Sequence, residues 1–262
     1  MTRKPHQDGF SLTETLMAVG TLAIGLTFIA GAFLTGIYFS TYSTERTIAS
    51  VAAEEAFAKV QIFGLDPDDA DLATGGFVDY NELATMPAEE VLYPSTREAG
   101  KQYSWAALCR RTTDGNDLVQ VTVFVSRETG GNLSYWKRQS GAANLQLESS
   151  DLPRPVRVNV VHDTTAAQNE ITIKDAVASD TTDERAFVSS GSILVDDATG
   201  QIYRALDRSA EQPDRIELDR DWEGGDLTSA AGGWVWVVPP AASGGKNPSI
   251  AVYQKILRFP GR

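Results

Sequence analysis

From Thr15 to Thr44 the chain runs for thirty residues without a side chain that ionises below alkaline pH. The densest part, Leu16 to Phe39, is 24 residues of mostly Leu, Ile, Phe, Val, Ala, Gly and Thr. As a helix rising 1.5 Å per residue it would measure about 36 Å, enough to cross the ~30 Å hydrocarbon layer with some tilt. One membrane span is therefore expected, over about 15–39. Arg3 and Lys4 precede it, and lysine and arginine are retained on the cytoplasmic side, so the remaining 200 or so residues are expected to go outward.

A secretory signal has an apolar region of roughly 7 to 15 residues ahead of a cleavage site; this run is too long. An ordinary anchor explains the length but gives no reason for Glu14 to stand at its mouth. Ser11-Leu12-Thr13-Glu14 fits the capping box S-x-x-E, in which both side chains satisfy free amides at a helix start. That reading leaves out the combination of a nine-residue basic leader, Gly9 followed by Phe10, and the uncharged run in register behind them.

The six residues from Gly9 to Glu14 resemble the processing motif of type IV prepilins and of the related pseudopilins of type II secretion systems. The resemblance implies cleavage after Gly9 by a prepilin peptidase on the cytoplasmic side, leaving Phe10 as a new, usually N-methylated, amino terminus. It also implies that Glu14 helps a subunit dock into a filament, its carboxylate meeting the amino terminus of a neighbour. A charge at the centre of a membrane helix costs about 2.5 to 3.5 kcal/mol on insertion scales, so a partner of opposite charge gives such a subunit a reason to assemble. The implied partners are other pilin or pseudopilin subunits, an inner-membrane assembly platform and the lipid bilayer. The implied place is the inner membrane, single-pass, with the head in the periplasm or outside the cell.

Beyond the apolar run, Ala49, Ala52, Ala53, Ala56, Phe57, Val60 and Phe63 recur at spacings of three and four, one stripe of a continuing helix, while Glu54, Glu55 and Lys59 fall elsewhere. Glu55 and Lys59 form an i, i+4 pair in the favourable order. Gly64 and Pro67 are a stop signal. Helix is thus predicted over 10–63, the shape of a pilin stalk. Gly20, Gly25, Gly31 and Gly36 stand where the family often has a proline; they permit a kink or close packing without demanding either.

After Gly64 short alternating runs punctuated by Gly, Pro, Asp and Asn read as strands and turns. Tyr103, Trp105, Ala107 and Cys109 alternate with polar residues, as do Val119, Val121, Val123 and Val125, and Thr112 to Asn116 lies between, so a hairpin with one apolar face is predicted. That face is expected on the helix stripe, as in the head of a pilin, with a strand near Leu133 to Arg138 extending the sheet. The polar stretch from Ser140 to Pro155 suggests a boundary. The expected fold is α+β: leader 1–9, helix 10–63, β head 64–150, and a second mainly-β domain 151–262, a small barrel, roll or sandwich. Strand candidates there include Ala186 to Val188, Trp234 to Val238 and Ile250 to Arg258, with Asp196 to Gly200 as a turn.

The formal charge of −12, one unit more negative without the leader, argues against nucleic acid as a partner. The single Cys109 excludes an internal disulfide, whereas many pilins carry one; its place beside Trp105 suggests a core residue. No catalytic pattern emerges and an enzyme is not expected. His162 beside Asp163 lacks a nucleophile-elbow serine, and no phosphate loop or Cys/His metal spacing occurs. No cofactor is expected. Calcium is the one ligand to weigh: Asp219, Asp221, Glu223 and Gly224 match the first half of an EF-hand loop, but Ala230 stands where the closing glutamate belongs. Asp66, Asp68, Asp69 and Asp71 read as a solvated acidic turn, and Trp234 with Trp236 as core. The size and the second β domain favour a minor subunit over a major one. The alternative is a single-pass anchored adhesin or binding module with an extracytoplasmic β domain.

Overall fold

The computed structural model describes residues 11–94, 103–112, 117–127, 133–138, 146–162, 165–175, 182–209, 212, 214–224, 227, 232–245 and 247–259. A long apolar amino-terminal helix, α1 (Leu12–Phe63), is followed by a mainly-β region. The boundary between two compact units falls inside this helix, between Thr47 and Ile48. At its end Gly64 adopts the left-handed conformation, φ 71°, and donates its N–H to the Val60 carbonyl at 2.9 Å, the cap that glycine provides without steric penalty. The acidic cluster behind it builds turns: Asp66 Oδ1 accepts the N–H of Asp68 at 2.9 Å and Asp69 Oδ1 that of Asp71 at 3.0 Å.

Ile48 onward is one unit. Its first sheet is antiparallel and has five strands: β1 (Val78–Asp79), β2 (Leu92–Tyr93), β3 (Tyr103–Arg111), β4 (Leu118–Arg127) and β13 (Ser249–Arg258), ordered β1-β3-β4-β13 with β2 also on β3. The predicted β3–β4 hairpin is present, with Tyr103 opposite Arg127 and Arg111 opposite Val119; residues 113–116 of its expected turn lie outside the described residues. Trp105, Ala107, Cys109 and the four valines of β4 share one buried cluster with Ala49, Ala52, Ala53, Ala56, Phe57 and Val60 of α1. Phe63 departs from the predicted stripe and is exposed. Lys59 departs the other way: it is buried, 2.7 Å from Glu55 and 2.9 Å from Glu90.

The second set of strands closes into a six-stranded antiparallel barrel: β7 (Val156–Val161), β8 (Glu170–Lys174), β9 (Ile193–Asp196), β10 (Ile202–Arg208), β11 (Arg215–Leu218) and β12 (Gly233–Val237), in the order β10-β11-β8-β7-β12-β9. Val156, Val158, Val160, Ile171, Ile173, Leu194, Ile216, Val235 and Val237 fill its interior. A barrel this narrow is filled by side chains, as expected for few strands.

Three strand expectations are corrected. The segment near Leu133 does not extend the first sheet: among the described residues β5 (Tyr135–Arg138) pairs with β6 (Leu147–Ser150) alone, and their Trp136 and Leu147 pack on the barrel core. Glu184–Phe187 is a 3₁₀ turn started by Asp183, whose carboxylate accepts the Arg185 N–H, so no strand forms there. The last strand, β13, belongs to the first sheet, because it pairs along β4 from Ser249 opposite Ser126 to Arg258 opposite Leu118.

The hairpin's second face is also not solvated. Phe77, Leu108 and Phe124 from the sheet side join Val195, Trp236 and Val238 from the barrel side in one cluster. Ser104, Thr122 and Ser126, polar and on the same face as Leu108 and Phe124, are buried too.

Candidate functional site

The first part of α1, to Thr47, is described on its own. Among the described residues, thirteen large apolar side chains between Leu12 and Phe39, Tyr38 set aside, are exposed. Burying one such side chain is worth about 1.5–3 kcal/mol, so leaving all of them in water forgoes roughly 20–40 kcal/mol. A domain's entire stability is about 5–15 kcal/mol; an apolar environment must take this surface up. The helix is long and apolar enough to span a membrane.

Its polar groups are arranged for that environment. Thr15, Thr21, Thr27 and Thr35 each return a hydroxyl hydrogen bond to the carbonyl four residues earlier, at 2.7 to 3.0 Å. Such back-bonding satisfies the hydroxyl within the helix, and lipid offers no other partner. The helix passes unbroken through Gly20, Gly25, Gly31 and Gly36, and a Cβ added at any of them meets nothing within 4 Å.

The amino-terminal end is closed by the predicted capping box. Glu14 Oε2 accepts the Ser11 backbone N–H at 3.0 Å and its hydroxyl at 3.1 Å, while Ser11 Oγ accepts the Glu14 N–H at 3.2 Å. The carboxylate also stands in the first turn, where the helix dipole favours negative charge. Gly9 and Phe10, the proposed cleavage point and new terminus, lie outside the described residues.

The other sequence candidates do not come together. Asp219, Asp221 and Glu223 are exposed, and Asp219 Oδ1 accepts the Arg204 N–H at 3.0 Å. Ala230 lies outside the described residues. Among those that are described, no three His, Cys, Asp or Glu side chains gather as a metal-ligating group. His162 Nδ1 is 2.8 Å from the Glu170 carbonyl, and Asp163 is outside the described residues. Cys109 is fully buried; burial first, then the nearby Asp79, pushes its thiol pKa well up, which keeps it protonated and unreactive.

Trp234 and Trp236 share a face, but it is the outer face of the barrel, because Val235 and Val237 occupy the interior. Trp236 is buried between barrel and sheet, and Trp234 lies under the Arg157 guanidinium at 4.6 Å. Sequence reasoning missed Asp197 entirely. It reads as a turn residue, yet its carboxylate accepts the Phe77 N–H at 2.9 Å and the Trp236 indole N–H at 2.7 Å.

Comparison with protein-family models, curated proteins and solved structures found no match to the chain.

Proposed function

We propose that this chain is a structural subunit, a minor pilin or pseudopilin, of a type IV filament or a type II secretion pseudopilus. One observation carries the reading: a single helix whose exposed apolar part starts at the Ser11–Glu14 box and whose last part supplies the buried stripe of a β head. A plain anchor needs neither a carboxylate at the mouth of the span nor helix continuity into a core. The chain is cut after Gly9 by a prepilin peptidase and enters the membrane with its amino terminus inside. Glu14 then docks the subunit against the amino terminus of a neighbour. The barrel adds bulk that a crowded helical array disfavours, which supports a minor place in the filament.

Sequencing the amino terminus of protein from host membranes tests the cleavage: Phe10 is the expected first residue, and Met1 still in place overturns the reading. Glu14→Gln tests assembly. Glutamine serves the capping box as well as glutamate does, so this variant should insert normally yet fail to enter filaments. Unimpaired entry of this variant into filaments would remove the docking role of Glu14, whereas absence of the unsubstituted chain from filaments would favour the membrane-anchored binding module instead.

A further inference from the structure

The apolar run of α1 ends in a ladder of rings and one cation. The Tyr38 ring stacks on Tyr42, centroids 6.5 Å apart and planes 12° from parallel. The Arg46 guanidinium carbon lies 5.0 Å from the Tyr42 ring centroid. Spacing of four residues keeps all three on one helix face, about 6 Å apart along the axis. Glu45 and Arg46 are the first charges after Glu14, and Arg46 is the first cation.

The distances fit a bilayer. Tyr38 follows Leu16 by 22 residues, about 33 Å of helix, close to the ~30 Å hydrocarbon thickness. The ladder then extends about 12 Å further, across the headgroup region. Tyrosine rings favour that region because one end is apolar and the other hydrogen-bonds. A guanidinium matches phosphate in charge and in its planar pair of donors. The contact with Tyr42, one turn nearer the span, holds the guanidinium back along the helix axis, toward the headgroups.

We propose that Tyr38, Tyr42 and Arg46 form a docking surface for the phosphate headgroup layer of the leaflet at the carboxy-terminal end of the span, with Arg46 on a lipid phosphate. The proposal rests on α1 being a membrane span. It sets the depth at which the helix sits.

Cysteine scanning tests it on the full-length chain, reconstituted in vesicles of phosphatidylethanolamine and phosphatidylglycerol and opened by freeze–thaw to a charged maleimide on both faces. Buried Cys109 stays silent, so a single cysteine replaces in turn Phe33, Ile37, Thr41, Thr47 and Ser50. Phe33→Cys and Ile37→Cys should resist labelling, and Thr47→Cys and Ser50→Cys should label fully. A boundary outside 38–46 overturns the proposal. In a Tyr42→Ala, Arg46→Ala background the boundary should shift by about one turn toward Ser50, and Tyr42→Trp with Arg46→Lys should restore it. An unmoved boundary overturns the proposal and leaves the span intact, whereas uniform labelling from Leu16→Cys onward overturns both. Protection at Thr47→Cys that vanishes when the protein is diluted in lipid assigns the face to a second copy and also overturns it.

Discussion

The Asp197 carboxylate accepts the indole N–H of Trp236 at 2.7 Å, and through the same Oδ1 it accepts the backbone N–H of Phe77 at 2.9 Å. Trp236 belongs to the barrel and Phe77 leads into the first sheet, so one carboxylate joins the two. The contact continues along the turn, where Arg110 of β3 donates to the carbonyls of Ala198 and Thr199, the latter at 2.8 Å. Gln254 of β13 donates to the Gly200 carbonyl at 2.7 Å. A turn that merely connects two barrel strands thereby becomes the seam of the head.

Replacing Asp197 removes two charge-assisted hydrogen bonds at a half-buried position. Each is worth about 1.5–3 kcal/mol when one partner is ionised, so Asp197→Ala should lower the stability of the head by about 3 kcal/mol in denaturant unfolding followed by tryptophan fluorescence. Asp197→Asn keeps an acceptor and should lose less. Gly76→Ala should reproduce part of the loss, because a Cβ there would approach Asp197 Oδ2 to 2.9 Å.

A second charge pair is buried more deeply. Arg138 on β5 lies 2.8 Å from Glu184, whose side chain is fully buried next to the barrel core. Arg138→Ala takes the cation from a carboxylate that water cannot reach, and the expected loss is about 3–5 kcal/mol. Arg138→Met combined with Glu184→Leu should recover most of it, measured by the same unfolding curves.

The helix–sheet core depends on small residues. Ala52, Ala53 and Ala56 are at most 1% exposed where α1 meets the valines of β4. Ala56→Leu inserts three heavy atoms into that contact and should cost about 1–3 kcal/mol through overpacking, seen as a lower thermal midpoint, whereas Ala58→Leu on the exposed side should change little.

What the chain announces locally, it folds into. The helix was legible in its spacing and in Gly64, the Ser11–Glu14 cap in S-x-x-E, and the β3–β4 hairpin in strict alternation around a turn. Pairing between distant segments was not legible, because a strand's partner is chosen by the rest of the core: β13 meets β4 across more than a hundred residues. The same cause hid the second face of the hairpin. Alternation puts Ser104, Thr122 and Ser126 on the polar side of the hairpin, yet all three are buried. Asp197 shows the limit most sharply, since the side chain that fits a turn also fits a junction, and alternation carries no sign of which.

Alkaline pH should weaken the head through two buried groups. Burial, then the nearby Asp79, raises the Cys109 thiol, and burial raises the Tyr80 hydroxyl, which donates to the Gly64 carbonyl at 3.0 Å, from 10.0 to about 12. Both are acids whose folded pKa exceeds the unfolded one, so the folded state holds its protons longer. Below about pH 8.5, the ordinary thiol value, both states are protonated and the stabilisation is complete. As pH rises the unfolded chain releases protons first, and the unfolding free energy falls, by the cysteine from about 8.5 and by the tyrosine from 10.0 up to about 12. Cys109→Ala should abolish the decline below about pH 10.0 and reduce it above, whereas Tyr80→Phe should reduce it only above that value. Denaturant midpoints of the full chain in detergent at successive pH values measure both, and an unchanged slope in Cys109→Ala would reject the thiol's share.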